Sequence, residues 1–215
     1  MIQFFVFGDS VAYGVGAEQA GWADLLKQYL HAKMYGTNGV GEKYELYNFG
    51  KPGAGTDFVL DIIAETVKQY GRNNKTVAIV CIGGNDTKAK DTARHFVSTI
   101  ETYKARTSTL LQTLQSSFDA VIAMPTLIAV DETKVNPKIS PFTGGKSFFT
   151  NARITQFNET LRELCRGYQV TYIQPDISSE VWEQSYLYTD GLHPNQKGYD
   201  KIFATIQPII AGLLD

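Results

Sequence analysis

Thr76-Val77-Ala78-Ile79-Val80-Cys81-Ile82-Gly83-Gly84 is the stretch on which the fold is decided. An unbroken β-branched and apolar run that stops at two glycines reads as a strand buried on both faces, because a half-solvated strand would alternate polar and apolar residues. Working outward, the same signature recurs at Ile2–Phe7 before Gly8, at Tyr44–Phe49 before Gly50, at Ala120–Met124 before Pro125, and at Val170–Ile173. Helical spacing fills the intervals. Trp22, Leu25, Leu26, Tyr29 and Leu30 define a helix over Gly21–Tyr35 with Gly36 behind it. A second, capped by Thr56 or Asp57, runs to Tyr70; others are predicted over Thr92–Ser116, Ala152–Arg166 and Pro194–Leu214. Strands alternating with helices predict an α/β protein of right-handed βαβ units, with a parallel sheet covered on both faces.

The chain has 215 residues, of which 43% are hydrophobic and 20% charged, so it can bury an adequate core without a metal or disulfide staple. No repeat or composition break divides it, and residues 1–215 are expected to form one domain. A formal net charge of -2 excludes the basic excess of a nucleic-acid binder and leaves no polybasic membrane patch. Cys81 and Cys165 are too few for a disulfide framework and fall in apolar or helical patterns, so both are expected as buried thiols. No stretch reaches the ~18–20 apolar residues of a membrane span. Met1–Phe7 lacks the charged flank and cleavage site of a signal peptide, which makes cytoplasmic residence the expectation. The segment Thr126–Thr150 stands apart: it holds Pro137, Pro141 and Gly144-Gly145, has no sustained period, and is a candidate substrate loop.

In a parallel sheet, ligands gather beyond the C-terminal strand ends, and there the chemistry-bearing residues fall. Ser10 follows the first strand in Gly8-Asp9-Ser10, where a hydroxyl serves either as a turn cap or as a nucleophile. A nucleophile needs a base, and the chain has three histidines. His31 and His95 sit in helical patterns as ordinary side chains. His193 lies in Asp190-Gly191-Leu192-His193, where a carboxylate three residues back can fix the imidazole tautomer; a turn explains the same spacing. Asn85, after Gly83-Gly84, is a side-chain amide donor or a tight-turn residue. A glycine of Asn48-Phe49-Gly50-Lys51-Pro52-Gly53 is a backbone donor or a close connection. Asp9 and Asp86 are expected to shape turns by accepting hydrogen bonds, Phe142, Phe148 and Phe149 to line an acyl pocket or pack the loop, and Trp22 and Trp182 to fill the core or an interface.

Taken in order, Gly8-Asp9-Ser10, Asn48-Phe49-Gly50-Lys51-Pro52-Gly53, Gly84-Asn85-Asp86 and Asp190-Gly191-Leu192-His193 resemble the four blocks of the SGNH (GDSL-type) esterases. The resemblance implies a three-layer α/β/α flavodoxin-like fold with a mainly five-stranded parallel sheet. It implies Ser10 as nucleophile, His193 as general base and acid, and Asp190 as orienting carboxylate. The oxyanion hole would comprise the Ser10 N–H, the Gly53 N–H and the Asn85 side chain. Gly53 is chosen for standing five residues after Asn48, with Gly55 or Gly50 left open because Gly53-Ala54-Gly55-Thr56 carries an extra residue before Thr. Val11 takes the place of the Leu in the namesake motif. No Gly-x-Ser-x-Gly elbow is present, and neither metal nor cofactor is called for.

The expected function is a serine hydrolase acting through an acyl-enzyme on carboxylic esters of small or medium acyl groups, acetylated carbohydrate among them. Lysophospholipase, thioesterase and acyltransferase activities fit the same fold. A non-catalytic flavodoxin-like binding module is the reading from a different class, but it lacks the P-loop Gly-Lys-Ser/Thr and the full Gly-x-Gly-x-x-Gly fingerprint. The partner expected is a small-molecule ester, with no nucleic acid and no membrane span; the acyl group, the alcohol and the oligomeric state are left open.

Overall fold

A computed structural model describes residues 1–140 and 143–214. In chain order the elements are β1 (Ile2–Gly8), α1 (Ser10–Tyr13), α2 (Trp22–Tyr35), β2 (Tyr44–Gly50), α3 (Thr56–Tyr70), β3 (Lys75–Ile82), α4 (Gly84–Thr87), β4 (Ala89–Lys90), α5 (Ile100–Ser117), β5 (Ala120–Pro125), β6 (Lys138–Ile139), β7 (Lys146–Phe148), α6 (Asn151–Tyr168), β8 (Thr171–Tyr172), α7 (Ser179–Ser185) and α8 (Gln196–Leu214). The main sheet runs β2-β1-β3-β5-β8 and is parallel throughout. Among the described residues, no helix is long and apolar enough to cross a membrane.

Alternation along each strand divides the core into two layers. Phe4 and Val6 of β1 and Val77, Ile79 and Cys81 of β3 face α2, α7 and α8, where Trp22, Leu26, Trp182, Tyr199 and Ile206 are buried. Phe5 and Phe7, with Ala78, Val80 and Ile82, face α3, α5 and α6 through Ile63, Leu110, Leu114, Leu161 and Cys165. Both cysteines and both tryptophans are buried, as the sequence indicates.

The structure corrects the sequence reading in several places. The helix expected from Thr92 begins only at Ile100, where Thr99 accepts a bond from Thr102 N–H as cap. Arg153 holds the preceding segment out of the helix: its Nε donates to Thr87 O, its Nη2 to Ser98 O, and its guanidinium lies 3.9 Å from the Phe96 ring centre. His95 therefore sits in an exposed connection, not on a helix. Gly55, not Thr56 or Asp57, is the N-cap of α3, because Thr56 turns its hydroxyl to Asp86. The Thr126–Thr150 segment carries strands that period-2 reading missed; β6 and β7 join β4 in a small antiparallel sheet. Strands of two or three residues are too short to show a period.

Phe5 is fully buried, with its ring 5.2 Å from Phe118 and 5.7 Å from Tyr47. Phe5→Ala is expected to cost about 3–5 kcal/mol of unfolding free energy. Urea titration is the measurement, with Tyr35→Ala, at an exposed position, as a comparison expected within about 0.5 kcal/mol of the unsubstituted chain.

Candidate active site

β1 is paired on both sides, Gly8 opposite Gly50 of β2 and Cys81 of β3, so the chain leaves the sheet at its centre. Asp9 caps the single turn of α1: its Oδ1 accepts from Val11 N–H at 3.0 Å. Ser10 is thereby the first residue of that turn, where a backbone N–H has no acceptor within the helix. Asp9 is fully buried, and burial pushes its carboxyl up to about 6 against the pull of the Val11 N–H and the Asn85 amide.

The turn before α8 brings an imidazole to Ser10. His193 Nε2 lies 2.9 Å from Ser10 Oγ, and His193 Nδ1 lies 2.7 Å from Asp190 Oδ2. Asp190 Oδ1 accepts from the N–H groups of Leu192 at 3.0 Å and His193 at 3.1 Å, which fixes the carboxylate against its own turn. Burial alone would raise Asp190, but the His193 hydrogen bond and charge, with those two N–H groups, hold it well below the usual carboxylate range. An ionised carboxylate only accepts, so Nδ1 carries the imidazole proton and Nε2 is left to accept from the Ser10 hydroxyl. Two glycines permit this turn. Gly191 has φ +72, and a Cβ there would stand 2.8 Å from Lys134 Cβ; Gly16 has φ +93, and a Cβ there would stand 2.6 Å from Pro194 O.

Asn85 follows β3 on the short α4. Its Nδ2 donates to Asp9 Oδ2 at 3.1 Å and its Oδ1 accepts from Lys88 Nζ at 2.9 Å, so the amide is held at both ends with one N–H left over. Gly53 and Gly55 line a cavity of about 160 Å³ together with Asn85, Lys88 and Arg106. Gly50 is different: its N–H is engaged by Asn48 Oδ1 at 2.9 Å, which removes it as an open donor. A narrower space of about 20 Å³ lies against Ser10, walled by Leu127, Phe149, Leu192 and Gly84.

The structure thus brings Ser10, Asp190, His193, Asn85 and Gly53 to the C-terminal edge of the sheet. His31 is on α2 with its ring against Tyr35, and His95 is in the connection before α5; neither enters the site. Asp9 and Asp86 accept hydrogen bonds at turns, as expected. Of the loop aromatics, Phe149 reaches the cavity, Phe148 pairs with Ala89 on the small sheet, and Phe142 lies outside the described residues. Two lysines were missed. Lys88 stands one turn after Asn85, a spacing the sequence did display. Lys138, whose Nζ is 3.1 Å from Asp190 Oδ2, is 52 residues from its partner, and no local pattern could reveal it.

A doubly wound sheet that presents a Ser–His–Asp chain beside open amide donors belongs to the hydrolase class. More narrowly, the chain belongs to the GDSL-like lipase/acylhydrolase family, whose model matches residues 6–201, and this supports ester hydrolysis in general terms. It is similar in structure to a lipase/acylhydrolase from Enterococcus faecalis (TM-score 0.72, 21% identity, 100% of this chain and 98% of that one). It is similar also to an acetyl xylan esterase from Geobacillus stearothermophilus (TM-score 0.67, 14% identity, 96% and 93%) and to a psychrotrophic esterase from Pseudoalteromonas sp. (TM-score 0.64, 15% identity, 97% and 98%). At these identities the likeness is one of fold, the SGNH-hydrolase fold. Curated protein sequences give no match.

Burial also lifts Asp86 to about 6, while Thr56 donates to it from N–H and hydroxyl, each at 3.1 Å. Asp9 and Asp86 both sit above the ordinary 3.8. The folded chain therefore holds protons that the unfolded chain releases between about pH 4 and 6, so this stability is present below that window and lost as pH rises through it. Asp86→Asn keeps an acceptor for Thr56 and is expected to flatten the fall by about 1–3 kcal/mol. Urea titrations at the two ends of the window measure it; equal falls in variant and unsubstituted chain would refute the assignment.

Proposed function

We propose that the chain is a serine esterase that cleaves carboxylic esters of small acyl groups through an acyl-enzyme. The observation that carries this reading is the unbroken relay from Ser10 Oγ through His193 to Asp190, at 2.9 and 2.7 Å. Ser10 Oγ bonds to the ester carbon while its proton passes to His193 Nε2, and the carbonyl electron pair moves to oxygen. That oxyanion meets the Ser10 N–H, the remaining Asn85 N–H and the Gly53 N–H. As the tetrahedral intermediate collapses, His193 returns the proton to the leaving alkoxide. Water then takes the alcohol's place: His193 removes its proton, the acyl–Ser10 bond breaks, and Ser10 recovers its hydrogen. Asp190 holds the tautomer and stabilises the imidazolium throughout.

The Thr126–Thr150 segment supplies the specificity in this reading. Leu127 and Phe149, with Leu192, leave only about 20 Å³ against Ser10, space for a group near the size of a methyl. This favours an acetyl or similarly short acyl group over the long chains of a lysophospholipase. The wider cavity beside Gly53 and Asn85, lined by Asp57, Lys88 and Arg106, is polar enough to receive a hydroxylated alcohol such as a sugar.

Purified protein is expected to hydrolyse p-nitrophenyl acetate and to be labelled by a fluorophosphonate, with Ser10→Ala abolishing both. Turnover undiminished in Ser10→Ala would end the proposal. Asn85→Ala is expected to lower kcat by about 10²–10³-fold with KM little changed, as one oxyanion donor is lost. Phe149→Ala is expected to raise butyrate turnover relative to acetate; an unchanged ratio would show that Phe149 does not bound the acyl group.

A further inference from the structure

Asp190 has four acceptor positions, and four donors fill them: Leu192 N–H and His193 N–H on Oδ1, His193 Nδ1 and Lys138 Nζ on Oδ2. Lys138 opens β6, far from Asp190 in sequence, and also donates to the Asp190 backbone O at 3.0 Å. Among the described residues it is the only lysine or arginine that ion-pairs with this carboxylate.

We propose that Lys138 is a positioning residue that shares the Asp190 carboxylate with His193, and that it thereby sets the basicity of His193 from the Thr126–Thr150 segment. The proposal rests on the esterase reading for its catalytic consequence but not for its electrostatics. Two cationic partners on one carboxylate oxygen divide its charge, so Asp190 stabilises an imidazolium less than it would alone. Because the ammonium and the imidazole share Asp190 Oδ2, the ammonium also opposes a positive imidazole directly. Removing the Lys138 charge should therefore favour the protonated form of His193.

The arm that carries Lys138 is rigid where it needs to be. Asn136 pairs with the backbone of Phe149 in both directions, at 2.8 and 2.9 Å, and Lys138 is in register with Ser147 of β7. Asp131 N–H donates to Gly191 O at 2.9 Å, which fastens the same segment to the His193 turn. The other ionisable groups around His193 do not explain away the effect. From its own turn there is Asp190; from the β1–α1 connection, Asp9, whose charge acts on it. Lys134 and Asp131, beside Gly191, pair with each other at 3.0 Å. Tyr199 of α8 is held protonated by burial and donates to Val15 O at 2.6 Å. Each of these is retained when Lys138 alone is replaced.

The experiment compares Lys138→Met and Lys138→Arg with the unsubstituted protein. The His193 imidazole is titrated by NMR, with His31 and His95 as internal references, and kcat/KM for p-nitrophenyl acetate is followed against pH. Lys138→Met is expected to raise the His193 midpoint by about half a unit or more, with the acid limb of kcat/KM moving the same way. Lys138→Arg, which keeps the charge, should stay with the unsubstituted protein. An unmoved midpoint in Lys138→Met, or an equal shift in Lys138→Arg, would overturn the proposal. Should Lys138→Met fail to fold, Lys138→Gln keeps a hydrogen-bonding side chain without the charge and carries the same expectation. The NMR titration reads the clamp whether or not the protein cleaves esters, so a chain lacking Ser10-dependent turnover would end the functional reading while the clamp is still tested.

Discussion

The position of β1 between β2 and β3 is the constraint on which the site depends. Both neighbours are parallel to it and in continuous register from Ile2 to Gly8, and both faces of the strand are buried. A strand held on two edges and two faces cannot slip without turning its whole apolar set toward the wrong layer. Ser10, two residues beyond the last pair, is therefore placed by the core itself. The ends of β2 and β3 arrive at the same level; Asn85 shares a cavity with Ser10, and Gly53 shares the neighbouring one with Asn85. His193 alone comes from elsewhere, from the turn before α8.

Carboxylates then join what the strands only bring close. Asp9 ties the Ser10 turn to Asn85, Asp86 ties α4 to the start of α3 through Thr56, and Asp190 ties the His193 turn to itself and to Lys138. The three differ in protonation because their surroundings differ. Asp9 and Asp86 accept hydrogen bonds from neutral groups in buried places, and burial raises them. Asp190 accepts from the His193 ring and from two backbone N–H groups of its own turn and is lowered. The carboxylate held ionised is the one that the His193 ring and the N–H groups of its own turn bind together.

How much of this the sequence disclosed follows from the range of each interaction. The five main strands were legible because a strand buried on both faces is a continuous apolar run. The candidate residues were legible because such strands end in glycine and polar residues at known places. Ser10, Asn85 and His193 each sit directly after a strand or before a helix, so local reading reached them; the meeting of His193 with Ser10 at 2.9 Å could only be expected from the fold class. The start of α5 was misread because the segment from Thr92 continues a helical pattern that Arg153, from a helix some 50 residues later, pulls apart at both ends. The small sheet and the Lys138 contact were silent for the same reason. Two-residue strands have no period, and a lysine has no local signature of the carboxylate it will meet.

The Thr126–Thr150 segment touches both the space against Ser10 and the His193 turn. Leu127 and Phe149 wall the space against Ser10, while Val130 and Val135 join them in a small cluster into which Leu192 of the His193 turn is packed. Asp131 and Lys138 bind that same turn through Gly191 and Asp190. A segment that only covered the substrate could vary freely in length and sequence, as surface loops do. This one cannot move its wall without moving the support of His193, because Phe149 and Lys138 are linked through Asn136 and the β6–β7 pair. For the proposed esterase, substitutions that reshape the space against Ser10 should therefore be felt at His193 as well, and acyl preference and acid–base behaviour should change together where a detached lid would let them change separately.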